Sequence, residues 1–186
     1  MKPRILGING IRTDGSTSTD KILKQFDKYL TIDVNYPKVS LFKARSRKRQ
    51  LRNAKKLKHV HIKGDVLIAH SYGCLLALRA MELGAQFSHV FLFAPAMNRD
   101  FTFPYLGMTE LHVIHNQNDR AIKAGAWLAW HDFGEMGRFG YNGPPDPRII
   151  NREDVDKGDS GTNHSHYFSN EHIGKWANYI EKVISE

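Results

Sequence analysis

A serine, a carboxylate and a histidine occur along this chain in contexts that suit covalent hydrolysis. Ser71 directly follows an apolar run at 66–70, Asp119 lies just beyond another apolar run, and His164 precedes the last helical pattern. A neutral imidazole takes the proton of a serine hydroxyl during attack and returns it to the leaving group, while a carboxylate fixes the tautomer of the imidazole. These residue types therefore predict nucleophilic catalysis by serine.

The neighbours of Ser71 are typical of a sharp turn between a strand and a helix. Residues 69–73 are Ala-His-Ser-Tyr-Gly, so a small residue stands two places before the serine and another stands two places after it. A tight turn needs small side chains there, and it lifts the hydroxyl beside a helix N-terminus. The pattern predicts a nucleophile elbow, although a serine that opens an ordinary turn has similar neighbours. We interpret His70 as a structural histidine.

This part of the chain resembles the α/β-hydrolase family, with Ala69 where glycine is more usual. The family's chain order is serine, acid and histidine, and the same order occurs here over nearly the whole chain. The resemblance implies that Ser71 is the nucleophile, Asp119 the acid and His164 the base. An aspartate after a strand is also common in ordinary turns, so the order of the three residues supports the assignment more than Asp119 alone.

Either of two histidines, His164 or His166, is close enough in sequence to be the base. In the members of the family that this chain resembles, the base is followed by serine, a variable residue and two aromatic residues, as at 165–168. We therefore expect His164 to be the base and keep His166 as the alternative. The resemblance also implies an oxyanion hole made by the backbone N–H groups of Ile11 and Tyr72. The Asn-Gly pair before Ile11 is also common in ordinary turns.

Apolar runs alternate with helical patterns along the chain, which predicts an α/β fold with a mostly parallel sheet of about six strands and helices on both faces. The strands are predicted at 5–9, 32–36, 66–70, 89–94, 111–116 and 148–151. The helices are predicted at 17–30, 44–58 and 72–83, with a last helix over 173–184. We expect one compact α/β-hydrolase domain over 1–186.

The segment after the predicted strand at 89–94 is short. The family often inserts a large lid there, but about 15 residues separate this strand from the next one. We therefore expect little or no lid and an open cleft. An open cleft favours small acyl esters, or exposed ester or amide groups on a larger molecule, as substrates.

The net charge of +8 comes from one segment. Residues 43–63 hold ten Lys or Arg and no acid, whereas the rest of the chain has 17 bases and 19 acids, a balance of −2. The segment has no interleaved aromatic residues for base stacking, which favours a solvated helix face over nucleic-acid binding. A second hypothesis stays open, in which a non-catalytic protein of this fold uses residues 43–63 to hold an anionic partner. The complete set of triad residues argues against it.

No cofactor is predicted, because the histidine pairs match no zinc spacing and the chain has no glycine-rich phosphate loop. The first apolar stretch is too short for a signal peptide, and no apolar run approaches the roughly 20 residues of a membrane-spanning helix. The single cysteine, Cys74, cannot pair within the chain. We expect a cytoplasmic, metal-independent serine hydrolase that acts as a carboxylesterase. An amidase or an acyltransferase could use the same residues.

Overall fold

A computed structural model describes residues 3–11, 18–104, 107–128, 132–156 and 163–186. Within these residues, six strands form one sheet in the order β2-β1-β3-β4-β5-β6. Every neighbouring pair of strands is parallel. The strands are β1 Arg4–Ile8, β2 Leu30–Asp33, β3 Val66–His70, β4 His89–Phe93, β5 Glu110–His115 and β6 Ile149–Glu153. The predicted parallel α/β sheet is confirmed.

The described residues also form seven α-helices, which cover both faces of the sheet as predicted. Helices α3 and α4 pack on one face, and α1 and α7 pack on the other. In the described part of the chain, no helix is long and apolar enough to cross a membrane. The helices are α1 Thr19–Leu23, α2 Leu41–Ala44, α3 Arg47–Val60, α4 Tyr72–Glu82, α5 Arg120–Leu128, α6 Met136–Phe139 and α7 Ile173–Ser185, with a 3₁₀ turn at His166–Phe168.

The alternation of side chains along each strand explains the two helical layers. In β3, Leu67 and Ala69 belong to the core beneath α3 and α4, whereas Val66 and Ile68 belong to the core beneath α1 and α7. All five residues of β3 are buried, as expected for a central parallel strand that is covered on both faces. The central strands therefore appear in the sequence as continuous apolar runs.

The bounds predicted for the helix at 17–30 and for the strand at 32–36 are wrong. Helix α1 ends at Leu23 rather than at 30, and β2 begins at Leu30 rather than at 32, while position 17 lies outside the described residues. The backbone N–H of Leu30 donates to the carbonyl oxygen of Pro3, so Leu30 belongs to the sheet and the helix must end earlier. The apolar side chains of Ile22, Leu23 and Phe26 are still buried, as the stripe predicted.

The basic segment at 43–63 forms α3 and the residues beside it. Ala54 and Leu57 are fully buried in the core, while the cations at positions 48, 52, 55 and 56 are exposed. A groove of about 620 Å³ runs along this helix and is lined in part by Lys48, Arg52 and Lys55. Like charges four residues apart on a helix repel one another. Lys48, Arg52 and Lys56 follow one another at this spacing, and their repulsion therefore lowers the stability of α3.

Replacing Arg52 by glutamate should stabilise the protein. The substitution Arg52→Glu changes two repulsive pairs, with Lys48 and Lys56, into two attractive ones, which is worth about 1 kcal/mol at low ionic strength. Urea denaturation in about 0.05 M and in about 0.5 M NaCl measures this effect and its screening by salt. Arg52→Gln is the matched control and should give roughly half the gain, because it only removes repulsion. A loss of stability in Arg52→Glu at low salt would contradict this account of α3.

Candidate active site

Ser71 occupies a sharp turn between β3 and α4. Its backbone has φ 55° and ψ −122°, a conformation that residues with a side chain rarely adopt. The backbone N–H of Ser71 donates to the carbonyl oxygen of Phe93, at a distance of 2.9 Å, so β4 supports the turn. The side chain is largely buried, with 9% of the residue exposed. The turn thus has the strained backbone of a nucleophile elbow.

A glycine is required at position 73 because the start of α4 lies against the end of β1. A Cβ atom on Gly73 would lie 2.4 Å from the carbonyl oxygen of Ile8 and 2.5 Å from that of Asn9. No real Cβ atom tolerates backbone that close, so a side chain at position 73 would push β1 and α4 apart. Ala69, the other small residue of the motif, is fully buried in β3.

The structure brings Ser71, Asp119 and His164 together through two hydrogen bonds. The Nε2 atom of His164 lies 2.8 Å from the Oγ atom of Ser71, which is 93 residues away in the chain. The Nδ1 atom of His164 lies 2.7 Å from the Oδ2 atom of Asp119, which is 45 residues away. When Nδ1 carries the proton, it donates to the carboxylate and Nε2 is free to accept the hydroxyl proton of Ser71. The arrangement has the geometry that the predicted roles require, and those roles stay predictions.

Asp119 is fixed by the helix that it precedes. Its side chain is fully buried, and its Oδ1 atom accepts the backbone N–H of Ile122, at 2.8 Å, in the first turn of α5. This contact is an N-cap, so one carboxylate oxygen ends the helix while the other meets His164. Sequence analysis missed α5. The capping aspartate itself was the available signal for the start of this helix.

His70 ties the turn at Ser71 to the loop that carries His164. Its Nε2–H donates to the backbone carbonyl oxygen of His164 at 3.0 Å, and the centres of the two rings are 4.8 Å apart. Burial, reinforced by the nearby imidazole of His164, lowers the pKa of His70 to about 3. His70 is therefore neutral at ordinary pH and acts as a structural donor, in agreement with its interpretation from the sequence.

The loop after β1 lies directly beside Ser71. A Cβ atom on Gly10 would lie 2.9 Å from the Cβ atom of Ser71, so glycine allows the backbone to approach the nucleophile. The hydroxyl of Tyr36 holds this loop and lies 2.6 Å from the carbonyl oxygen of Gly10. Tyr72 is the first residue of α4, and the first N–H groups of a helix have no partner within it. The predicted oxyanion donors, Ile11 and Tyr72, are thus on segments that adjoin Ser71, and their role stays a prediction.

His166, the alternative base, has other partners. Its Nε2 atom lies 2.6 Å from the Oδ2 atom of Asp154, and its Nδ1–H donates to the carbonyl oxygen of Asn163. Both ring nitrogens are therefore engaged away from Ser71, whereas the ring of His164 contacts it. The structure does not favour His166 as the base. Sequence analysis missed Asp154, because no local pattern connects this residue with His166.

His112, another buried histidine, also has partners within the protein. His112 lies between the hydroxyl of Tyr179, at 2.6 Å, and the carboxylate of Glu110, at 2.8 Å. Across residues 3–11, 18–104, 107–128, 132–156 and 163–186, no group of three or more His, Cys, Asp or Glu is placed to hold a metal ion.

No protein-family model and no curated protein sequence matches the chain. Its structure is similar to alpha/beta hydrolase domain-containing protein 10 from mouse, with 13% identity, a TM-score of 0.66, and coverage of 100% of this chain and 90% of the other. It is also similar to a protein of the alpha/beta superfamily of hydrolases from Xanthomonas campestris, with 12% identity, a TM-score of 0.56, and coverage of 100% and 99%. A third similar structure is a covalent complex of the NocB thioesterase domain with a fluorophosphonate nocardicin G analog, with 13% identity, a TM-score of 0.53, and coverage of 100% and 96%. These likenesses show that the chain has the α/β-hydrolase fold, as expected.

The buried position of His70 predicts a loss of stability in mild acid. The unfolded chain binds a proton at His70 near pH 6.5, whereas the folded protein resists this proton until about pH 3. The contribution of His70 to the free energy of unfolding is therefore fully present above pH 6.5. It decreases as the pH falls below 6.5, by up to about 1.4 kcal/mol per pH unit.

The variant His70→Gln isolates this contribution, because glutamine keeps an N–H donor but does not titrate. Urea denaturation at pH 7 and pH 5 should show that the wild type loses up to about 2 kcal/mol more than His70→Gln over this interval. The rest of the chain is common to both proteins, so its contributions cancel in the comparison. An equal loss in the two proteins would mean that His70 is not the acid-sensitive group.

Proposed function

We propose that this protein, which has the α/β-hydrolase fold, is a serine hydrolase that acts as a carboxylesterase through Ser71, His164 and Asp119. One observation carries the proposal. A buried carboxylate, an imidazole and a serine hydroxyl form a continuous chain of hydrogen bonds of 2.7 and 2.8 Å. That chain ends at a serine on a strained turn beside a helix N-terminus, the position that the nucleophile takes in serine hydrolases of this fold.

In the proposed reaction, His164 accepts the hydroxyl proton of Ser71 at Nε2 while the serine oxygen bonds to the ester carbonyl carbon. The carbonyl oxygen becomes an oxyanion, which accepts hydrogen bonds from the N–H groups of Ile11 and Tyr72. The imidazolium then gives its proton to the departing alkoxide, and an acyl-enzyme remains. Water then attacks this ester while His164 takes its proton, and the imidazolium returns that proton to the Oγ atom of Ser71 as the acid leaves.

The burial of Asp119 suits its proposed role. Its carboxylate is fully buried and hydrogen-bonded both to His164 and to the N–H of Ile122, so it cannot rotate away from the imidazole. A carboxylate in a site of low dielectric constant stabilises the imidazolium more strongly than one in water. Asp119 would thus hold the tautomer of His164 before attack and lower the energy of the charged state that follows.

The segment between β4 and β5 supports small or exposed acyl groups as substrates. In its described residues, 94–104 and 107–109, this segment forms no helix or strand. A long acyl chain gains about 0.8 kcal/mol for each CH₂ group only where apolar walls remove that group from water. We therefore propose a small ester, or an exposed ester or amide on a larger molecule, as the substrate.

The proposal includes one domain over 1–186, a cytoplasmic setting and no cofactor. Hydrolysis through an activated serine needs no metal or organic group. Cys74 is a free cysteine that is completely buried, and burial raises the pKa of its thiol well above the ordinary value. A thiol of this kind is unreactive and is compatible with a reducing compartment.

A fluorophosphonate should label the wild-type protein once, at Ser71, because an activated serine attacks phosphorus as it attacks an ester carbonyl. Intact-mass measurement of wild type and Ser71→Ala tests this directly, with one adduct expected on the wild type and none on the variant. His164→Ala and Asp119→Asn should keep the fold and lower kcat by about 10⁴-fold. No adduct on folded wild type would favour the non-catalytic hypothesis, in which residues 43–63 hold an anionic partner.

The kcat/KM for hydrolysis of p-nitrophenyl esters should not rise steeply with the length of the acyl chain. We expect kcat/KM for the acetate and butyrate esters to be at least as high as for the palmitate ester, because we propose that the β4–β5 segment, whose described residues form no helix or strand, leaves the acyl site open. Ser71→Ala is the control and should abolish hydrolysis of every ester in the series. A kcat/KM that increases about fourfold with each added CH₂ would instead show a long apolar channel.

A further inference from the structure

A second pair of imidazole and carboxylate lies on the same loop as the proposed base. His166 follows His164 by two positions, and its Nε2 atom is 2.6 Å from the Oδ2 atom of Asp154. Only 1% of Asp154 and 8% of His166 is exposed. The pair does not include Ser71, so the reaction proposed above leaves it without a role.

A lysine, Lys175, also contacts the carboxylate of this pair. The Nζ atom of Lys175 lies 3.0 Å from the Oδ1 atom of Asp154 and 2.7 Å from the Oδ2 atom of Asp156. Burial opposes ionisation of Asp154, but the hydrogen bonds from His166 and Lys175 outweigh it and lower the pKa of this carboxyl to about 2. Two further titratable side chains lie beside His166, Tyr167 with 4.0 Å and His172 with 5.5 Å between the ring centres. The carboxylate of Asp154 also accepts the backbone N–H of Asp156 at 3.4 Å, so three donors hold this anion in place.

The pair holds the backbone immediately before the base. The Nδ1–H of His166 donates to the carbonyl oxygen of Asn163, whose φ is 57°. On the other side, His70 donates to the carbonyl oxygen of His164 itself. Asp154 is in turn anchored to the sheet, since its backbone N–H donates to the carbonyl oxygen of His115, at the end of β5, at 2.7 Å. The side chains of His166 and His70 thus hold two consecutive carbonyl groups of this loop, those of Asn163 and His164.

We propose that His166 and Asp154 are positioning residues that hold His164 in line with both Ser71 and Asp119. The inference rests on the proposed function and adds a requirement to it. The ring of His164 must keep contacts of 2.8 Å and 2.7 Å at its two nitrogens at the same time, although it lies on a loop and is partly exposed. A displacement of about 1 Å at a reacting group can lower a rate by about 10²-fold. Fixing Asn163 limits that displacement.

The test compares Asp154→Asn and His166→Gln with wild type, using p-nitrophenyl acetate and a fluorophosphonate as probes. We expect kcat to fall by about 10- to 100-fold, with KM changed less than about twofold. The rate of fluorophosphonate labelling at Ser71 should fall by the same factor, because both reactions need the proton transfer to His164. A purely stabilising pair would lower the melting temperature and leave both rates of the folded protein unchanged.

Asp156→Asn is the matched control. It also removes a carboxylate that contacts Lys175, but its side-chain contacts are with Lys175 and His172 rather than with His166. Its kcat should stay within about twofold of wild type. His166→Ala should lower kcat more than His166→Gln does, since glutamine can still donate one hydrogen bond to its neighbours.

Removing one partner of a buried ion pair can unfold a protein, so the double variant Asp154→Asn/His166→Gln is included as a neutral pair of similar shape. Circular dichroism confirms folding before the rates are compared. A kcat within about threefold of wild type in the folded variants would overturn the positioning role and leave the proposed function intact, because labelling of Ser71 would persist. Absence of labelling in the wild type would instead remove the proposed function and this inference with it.

Discussion

The backbone conformation at Ser71 constrains everything around it. A positive φ at a residue with a side chain costs of order 1–3 kcal/mol, and it persists only where neighbouring structure compensates. Here β4 accepts the N–H of Ser71, and β1 comes so close to α4 that only glycine fits at position 73. The same approach brings Gly10 against the serine. The close packing of β1, β3 and α4 thus fixes the turn and places the hydroxyl of Ser71 beside two backbone segments.

The parallel sheet explains how distant residues meet. Ser71 follows β3, Asp119 follows β5, and both strands end at the same edge because every pair of neighbours in the described sheet is parallel. The described residues beside His164 belong to no strand, so this part of the chain needs separate support before α7 begins. That support comes from side chains rather than from the sheet, through His70 on one side and His166 on the other.

Local patterns in the sequence predicted the elements that depend on local forces. The apolar run of β3, the small residues around Ser71 and the stripe of α7 all appear where they were expected. The prediction failed where a distant contact decides the structure. Leu30 leaves the helical pattern because Pro3 offers a backbone acceptor in the sheet, and Asp154 meets His166 only in the folded chain. Helix α5 was missed because Asp119 was interpreted as an acid or as a turn residue, although it also caps that helix.

Strand β6 lies at one edge of the sheet and pairs only with β5 among the described strands. Its last three residues are exposed, and Asp154 follows them directly. An edge strand opens locally at a lower free energy than the central strands, well before the whole protein unfolds. Under the proposed arrangement, such fraying would release His166 and then His164 while the core stayed intact. The upper temperature limit of the proposed activity would then be set by inactivation through one peripheral strand, below the temperature at which the fold is lost.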